Sequence, residues 1–132
     1  MSRPIHFEIH ATDVQGACEF YAAVFGWTFE DWTGFAGMPY FGVTSGPVDQ
    51  PGINGAIMQR MAGSAAGPGA PVNGAVLTIG TDDYDRDHDK IVAAGGAVAL
   101  PKAALPGMAW QGYYLDTDGN VFGLHQPDPN AS

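Results

Sequence analysis

The chain has 132 residues, 45% of them hydrophobic and 11% aromatic, which suits one globular domain and excludes a disordered chain. Its formal net charge of −9 and pI of about 4.4 repel phosphate backbones, so nucleic acid is excluded as a partner and a cationic one is favoured. A single cysteine, Cys18, excludes an intrachain disulfide, and the absence of a long apolar run excludes a membrane-spanning helix.

Ile5 to Ala11 alternates as a strand, with Phe7 and Ile9 on one face and His6, Glu8 and His10 on the other. Thr12 with Gln15 three residues on fits a capping box, and Asp13 offers an acidic cap. Ala17, Phe20, Tyr21, Val24 and Phe25 then recur at helical spacing, and Gly26 supplies a left-handed stop, so a helix is expected over 14–25. Strands follow at 27–30, 39–44 and 56–60. Residues 62–71, AGSAAGPGAP, read as a linker.

The second half repeats the order. A strand at 75–80 leads to Asp82 and Asp83, which cap a helix over 84–94 ended by Gly95-Gly96. Strands follow at 97–100, 109–116 and 121–125, with Asp118-Gly119 as the hairpin signal between the last two. His88, among Asp85, Arg86, Asp87, Asp89 and Lys90, reads as a surface residue. Phe7 with Leu77, Asp13 with Asp83 and Gly26 with Gly96 align at an offset of 70, shortening to 65 at the ends of the halves. An internal duplication of a βαβββ module explains this. Module one spans about 4–61 and module two about 72–127, within one domain over 1–132.

HFEIHATDVQGACEFYAAVFGW, NGAIMQR and ALPGMAWQGYYLDTDGNVFGLHQP resemble the vicinal oxygen chelate superfamily, which includes glyoxalases, bleomycin resistance proteins and extradiol dioxygenases. The resemblance covers roughly His6 to Pro127. It implies an α+β fold in which two tandem modules form an open, cupped eight-stranded sheet. It also implies a small-molecule site in the cup and a homodimer.

Family enzymes hold a divalent metal with four side chains, one on the first and one on the last strand of each module. The resemblance carries those positions onto His6, Met58, Val76 and Gly123, of which His6 alone supplies a ligand. His6, Glu8 and His125 would form another donor set. Residues two apart on a strand sit about 6–7 Å apart, however, an awkward span for one ion. No metal and no cofactor is therefore expected.

The cup is expected to bind a cationic or aromatic small molecule instead. Trp32, Phe35, Tyr40, Met58, Trp110, Tyr113 and Gly123 would line it, with Trp27, Phe41 and Tyr114 as further apolar surface. His6, Glu8 and His125 would orient the ligand, while His10 falls on a solvated rim. Three classes follow: a metal-independent binder like the bleomycin resistance proteins, a lyase or isomerase of glyoxalase type with Glu8 or His6 as general base, or an interaction module without a small ligand. A single cysteine suits a reducing compartment and no apolar leader is seen, so a cytoplasmic location is expected.

Overall fold

A computed structural model describes residues 6–60 and 76–132, so the linker expected at 62–71 lies outside the described residues. The chain divides into two compact units, 1–73 and 74–132. Each carries one βαβββ module, so the class is α+β with eight strands in two four-stranded mixed sheets.

Module one runs β1 (Phe7–Ala11), α1 (Val14–Phe25), β2 (Thr28–Asp31), a one-turn helix α2 (Thr33–Ala36), β3 (Tyr40–Thr44) and β4 (Gly55–Gln59). Its sheet order is β1-β4-β3-β2, with β1 parallel to β4 and the other pairs antiparallel. Of the two expected caps, Asp13 holds α1 and the Thr12–Gln15 box does not form. Asp13 is the last extended residue, so its carboxylate reaches the Gly16 N–H at 2.9 Å. Gln15 turns along the helix to Glu19 instead. Gly26 closes the helix at φ 72°, as its spacing predicts.

One face of α1, including Ala17, Tyr21 and Val24, buries itself against β1 and β4, whose Ile9, Ala11 and Ile57 are also buried. Trp27 joins this core. Its ring stacks on Tyr21 at 4.8 Å and 8° and meets Phe7 at 5.5 Å.

Cys18 sits in the same buried helix face, and burial, with Glu19 acting in the same direction, pushes its thiol up to about 11. The neutral thiol is thus held by the fold. Its contribution is complete below the ordinary value of 9.0 and is lost as pH climbs through about 11. Ellman's reagent should therefore leave native Cys18 unlabelled near neutral pH and label it fully in denaturant. Fast labelling of the native protein would contradict this packing.

Module two runs β5 (Leu77–Gly80), α3 (Tyr84–Ala93), β6 (Ala97–Leu105), β7 (Ala109–Leu115) and β8 (Val121–Pro127), in sheet order β5-β8-β7-β6. Asp83 caps α3 by accepting from the Arg86 N–H. Tyr84, Ile91, Tyr114, Phe122 and Leu124 form its core. His88 is not a solvated surface residue. It lies four residues after Tyr84 and three before Ile91, on the helix face that meets the sheet. There its Nδ1 hydrogen-bonds the Tyr114 hydroxyl at 2.9 Å, and Tyr114 donates on to Tyr84.

β6 extends well past Leu100, through Pro101. A proline has no N–H for the ladder, but β6 is an edge strand and its pairing with β7 shifts register on both sides of this stretch. Asp118-Gly119 lies in the β7–β8 connection, with Gly119 at φ 86°. The Asp116 carboxylate holds that turn by accepting from the Asp118 and Asn120 N–H groups.

Candidate functional site

Strand alternation and register decide which side chains share a face. In module one, Phe7 and Ile9 point toward α1, so His6, Glu8 and His10 point away from it. Pairing then extends this far face across the sheet. One row reads Glu8, Ala56, Gly42, Glu30. The next reads His10, Met58, Tyr40, and the ladder continues to Trp32, whose N–H donates to the Tyr40 carbonyl at 2.9 Å. A floor of two small residues therefore lies between two carboxylates, beside a row that ends in two aromatic rings.

Trp32 leans over that floor. Its ring stacks with Tyr40 at 6.1 Å and 19° and lies against Gly42. Phe35 stands on α2, 97% exposed, and Trp32 is 36% exposed. Trp32, Phe35, Ala36 and Tyr40 line a cavity of about 340 Å³. An exposed aromatic pair on a short, glycine-flanked turn contributes little to a core and leaves flat apolar area facing solvent.

Tyr40 connects this slot to charge. Its hydroxyl donates to Glu8 Oε2 at 3.1 Å and lies 3.4 Å from His6 Nε2. Burial, then the hydrogen bond and charge of Glu8, raise the Tyr40 phenol, which stays a neutral donor. Glu8 lies between two imidazoles, with His6 Nε2 at 3.9 Å and His10 Nε2 at 3.7 Å. Its side chain is 42% exposed, so it is presented to solvent instead of being sealed among apolar groups. His10 departs from the expected solvated rim. Its side chain is only 10% exposed, because it lies inside the sheet row beside Met58.

In module two the far face carries Thr78, Gly123, His125, Gln111 and Tyr113. His125 Nδ1 meets Gln111 Oε1 at 2.6 Å, which fixes the ring across the strand pair. A side chain at Gly123 would press on Gln111, Thr78 and Tyr113. Trp110 lies on the opposite, α3-facing side, in the same alternation as Gly112 and Tyr114, and so does not join Tyr113 and His125. Its indole N–H donates to Asp128, and Lys102 lies over its ring at 4.8 Å and over Tyr84 at 5.2 Å. Trp27 and Tyr114 likewise belong to cores, not to a ligand surface.

The register also corrects the ligand positions carried over from the family. Phe7 pairs with Gly55 and Leu77 with Phe122, so the last strands correspond at an offset of 67, not 65. Gly123 thus matches Ala56, not Met58. The set becomes His6, Ala56, Val76 and Gly123, which still contains one donor. These residues do not fit a four-ligand divalent site. Among the described residues no three His, Cys, Asp or Glu side chains are grouped to hold an ion.

Gly42, Ala56 and Glu30 join the far face of module one without having been expected from the sequence. Gly42 had a usable signal, since a glycine inside a strand marks close approach of another group. Among the described residues, no helix is long and apolar enough to cross a membrane.

A sequence model of the Glyoxalase/Bleomycin resistance protein/Dioxygenase superfamily matches residues 3–124. The chain belongs to this superfamily. A protein named "Putative glyoxylase CFP32", from Mycobacterium bovis and Mycobacterium tuberculosis, is 28% identical over 126 residues. That match takes in 93% of this chain but 45% of the relative, so the chain spans less than half the length of the curated relatives it matches. TnmS3, an antibiotic binding protein from Streptomyces sp. CB03234, is 26% identical, with a TM-score of 0.63 and coverage of 97% of this chain and 98% of its own. The fosfomycin resistance protein FosX of Listeria monocytogenes shares the fold at 15% identity, with a TM-score of 0.70 and coverage of 96% and 93%.

Proposed function

We propose that this superfamily member binds a flat, cationic small molecule on the far face of module one, without the divalent metal of the family's enzymes. The observation that carries this reading is the aromatic slot of Trp32, Phe35 and Tyr40, joined through the Tyr40 hydroxyl to Glu8. The rings offer stacking area, and Glu8 and Glu30 at the two ends of the adjoining row offer counter-charges. A net charge of −9 favours the encounter with a cation. The antibiotic-binding relative TnmS3 supports the same class of function. A homodimer, carried by the family resemblance, is part of this reading and is tested by light scattering.

The test uses proflavine, a planar aromatic cation, followed by thermal shift and fluorescence titration. Saturable binding is expected, with stabilisation growing with dye concentration, unchanged by EDTA and weakened by salt. Glu8→Gln should weaken it by about three- to tenfold. No saturable binding, or binding that needs a divalent ion and disappears in His6→Ala, would overturn the proposal.

The contacts of Glu8 with His6, His10 and Tyr40 favour one second reading, a metal-independent lyase or isomerase with Glu8 as base. Turnover of a 2-oxoaldehyde adduct that persists in EDTA and is lost in Glu8→Gln would select it over plain binding.

A further inference from the structure

We propose that Gly42 determines the shape of the aromatic site: the Trp32 indole lies on β3 only because position 42 has no side chain. The consequence for ligands rests on the binding reading above; the geometric claim does not.

Gly42 is not required by the backbone. Its φ is outside the left-handed region, unlike Gly26 or Gly37. A glycine in a strand interior gives up conformational entropy and offers no packing of its own, so an ordinary backbone at that position calls for another reason. The reason is next to it. A Cβ at position 42 would fall 2.6 Å from Trp32 Cη2 and 2.7 Å from both Cζ2 and Cζ3. Three atoms of one rigid ring are involved, so the indole has to move as a unit. It is not free to slide, because the Trp32 backbone N–H is bonded to the Tyr40 carbonyl, which anchors the residue, and the ring stacks on the Tyr40 ring. A methyl group at 42 therefore lifts Trp32 out of the stack and removes one wall of the cavity. Gly46 gives the contrast. It lies in the same unit with an ordinary φ, and a Cβ there meets nothing within 4 Å.

The test is a double-substitution cycle of Gly42→Ala with Trp32→Ala, with Gly46→Ala as control. Thermal melting and acrylamide quenching of tryptophan emission are the readouts. Gly42→Ala alone should lower the melting temperature by about 3–8 °C, as overpacking does. It should also raise quenching, because Trp32 becomes fully exposed. In the Trp32→Ala background the same change should be neutral or slightly stabilising, as Gly→Ala is at a relaxed site. An equal cost in both backgrounds would overturn the proposal. If Gly42→Ala alone does not fold, recovery of folding in the double variant supports the proposal, and failure of the double variant sinks it. Proflavine binding is read separately. Its absence from the unsubstituted protein would end the binding reading and leave the cycle intact, whereas its presence with at least about tenfold loss in Gly42→Ala would support both.

Discussion

Trp27→Ala is expected to lower the unfolding free energy by about 3–5 kcal/mol, the usual cost of removing a large buried aromatic. Trp27 is 6% exposed and sits at the meeting point of four rings: Tyr21 at 4.8 Å, Phe7 at 5.5 Å, Phe25 at 5.9 Å, and itself. Tyr21 and Phe25 come from α1 and Phe7 from β1, so the indole joins helix to sheet. Its removal opens a cavity that the β1 backbone and a capped helix cannot both close. A small domain is stable by only about 5–15 kcal/mol, so the loss is a large share of the total. Urea unfolding followed by circular dichroism measures it. A loss below about 1 kcal/mol would mean that Trp27 does not hold helix and sheet together. Phe7→Ala should act in the same direction with a smaller effect, because Gly55 already lies close to the Phe7 ring and limits the void.

The contrast between Trp27 and Trp32 shows what the sequence carried and what it did not. Both tryptophans sit near strand ends, and composition cannot tell a core ring from an exposed one. The α1 boundaries were legible because Asp13, the apolar spacing and Gly26 all act locally, within one turn of the backbone. The two-module order was legible because the same local signals recur 70 residues later. Neighbour assignments that depend on pairing were not. The β4 register is set by hydrogen bonds to β1, about 48 positions away, and to β3, across a loop, and a two-residue error there preserves the face while changing the neighbour. That is why Met58 stood in for Ala56. His88 differs from its expected surface position for another reason. Its charged neighbours dominated the local composition, although the four-residue spacing to Tyr84 already placed it toward the sheet. The Glu8, His6 and His10 alternation survived intact, because period two within a single strand needs no partner. Tyr40 completes that group through β4, a contact no local rule could supply.

Trp32→Ala should leave the fold nearly intact and weaken proflavine binding by about 2 kcal/mol or more, roughly thirtyfold. The indole is partly exposed and fills no core space, so its truncation costs only a few degrees in a melt, about what its displacement by Gly42→Ala does. Its loss nonetheless removes the stack on Tyr40 and uncovers the Gly42 floor, which together form the flat wall. Trp110→Ala should give the opposite pattern. It loses the indole–Asp128 hydrogen bond and the Lys102 contact on the α3 side, so it lowers the melting temperature while binding stays unchanged. The pair separates two explanations that a single variant cannot. General loosening of the protein would reduce binding in both, in proportion to the fall in stability. A site on the far face of module one reduces it in Trp32→Ala alone. If Trp110→Ala weakens proflavine as much as Trp32→Ala does, the slot beside Glu8 is not where the dye binds.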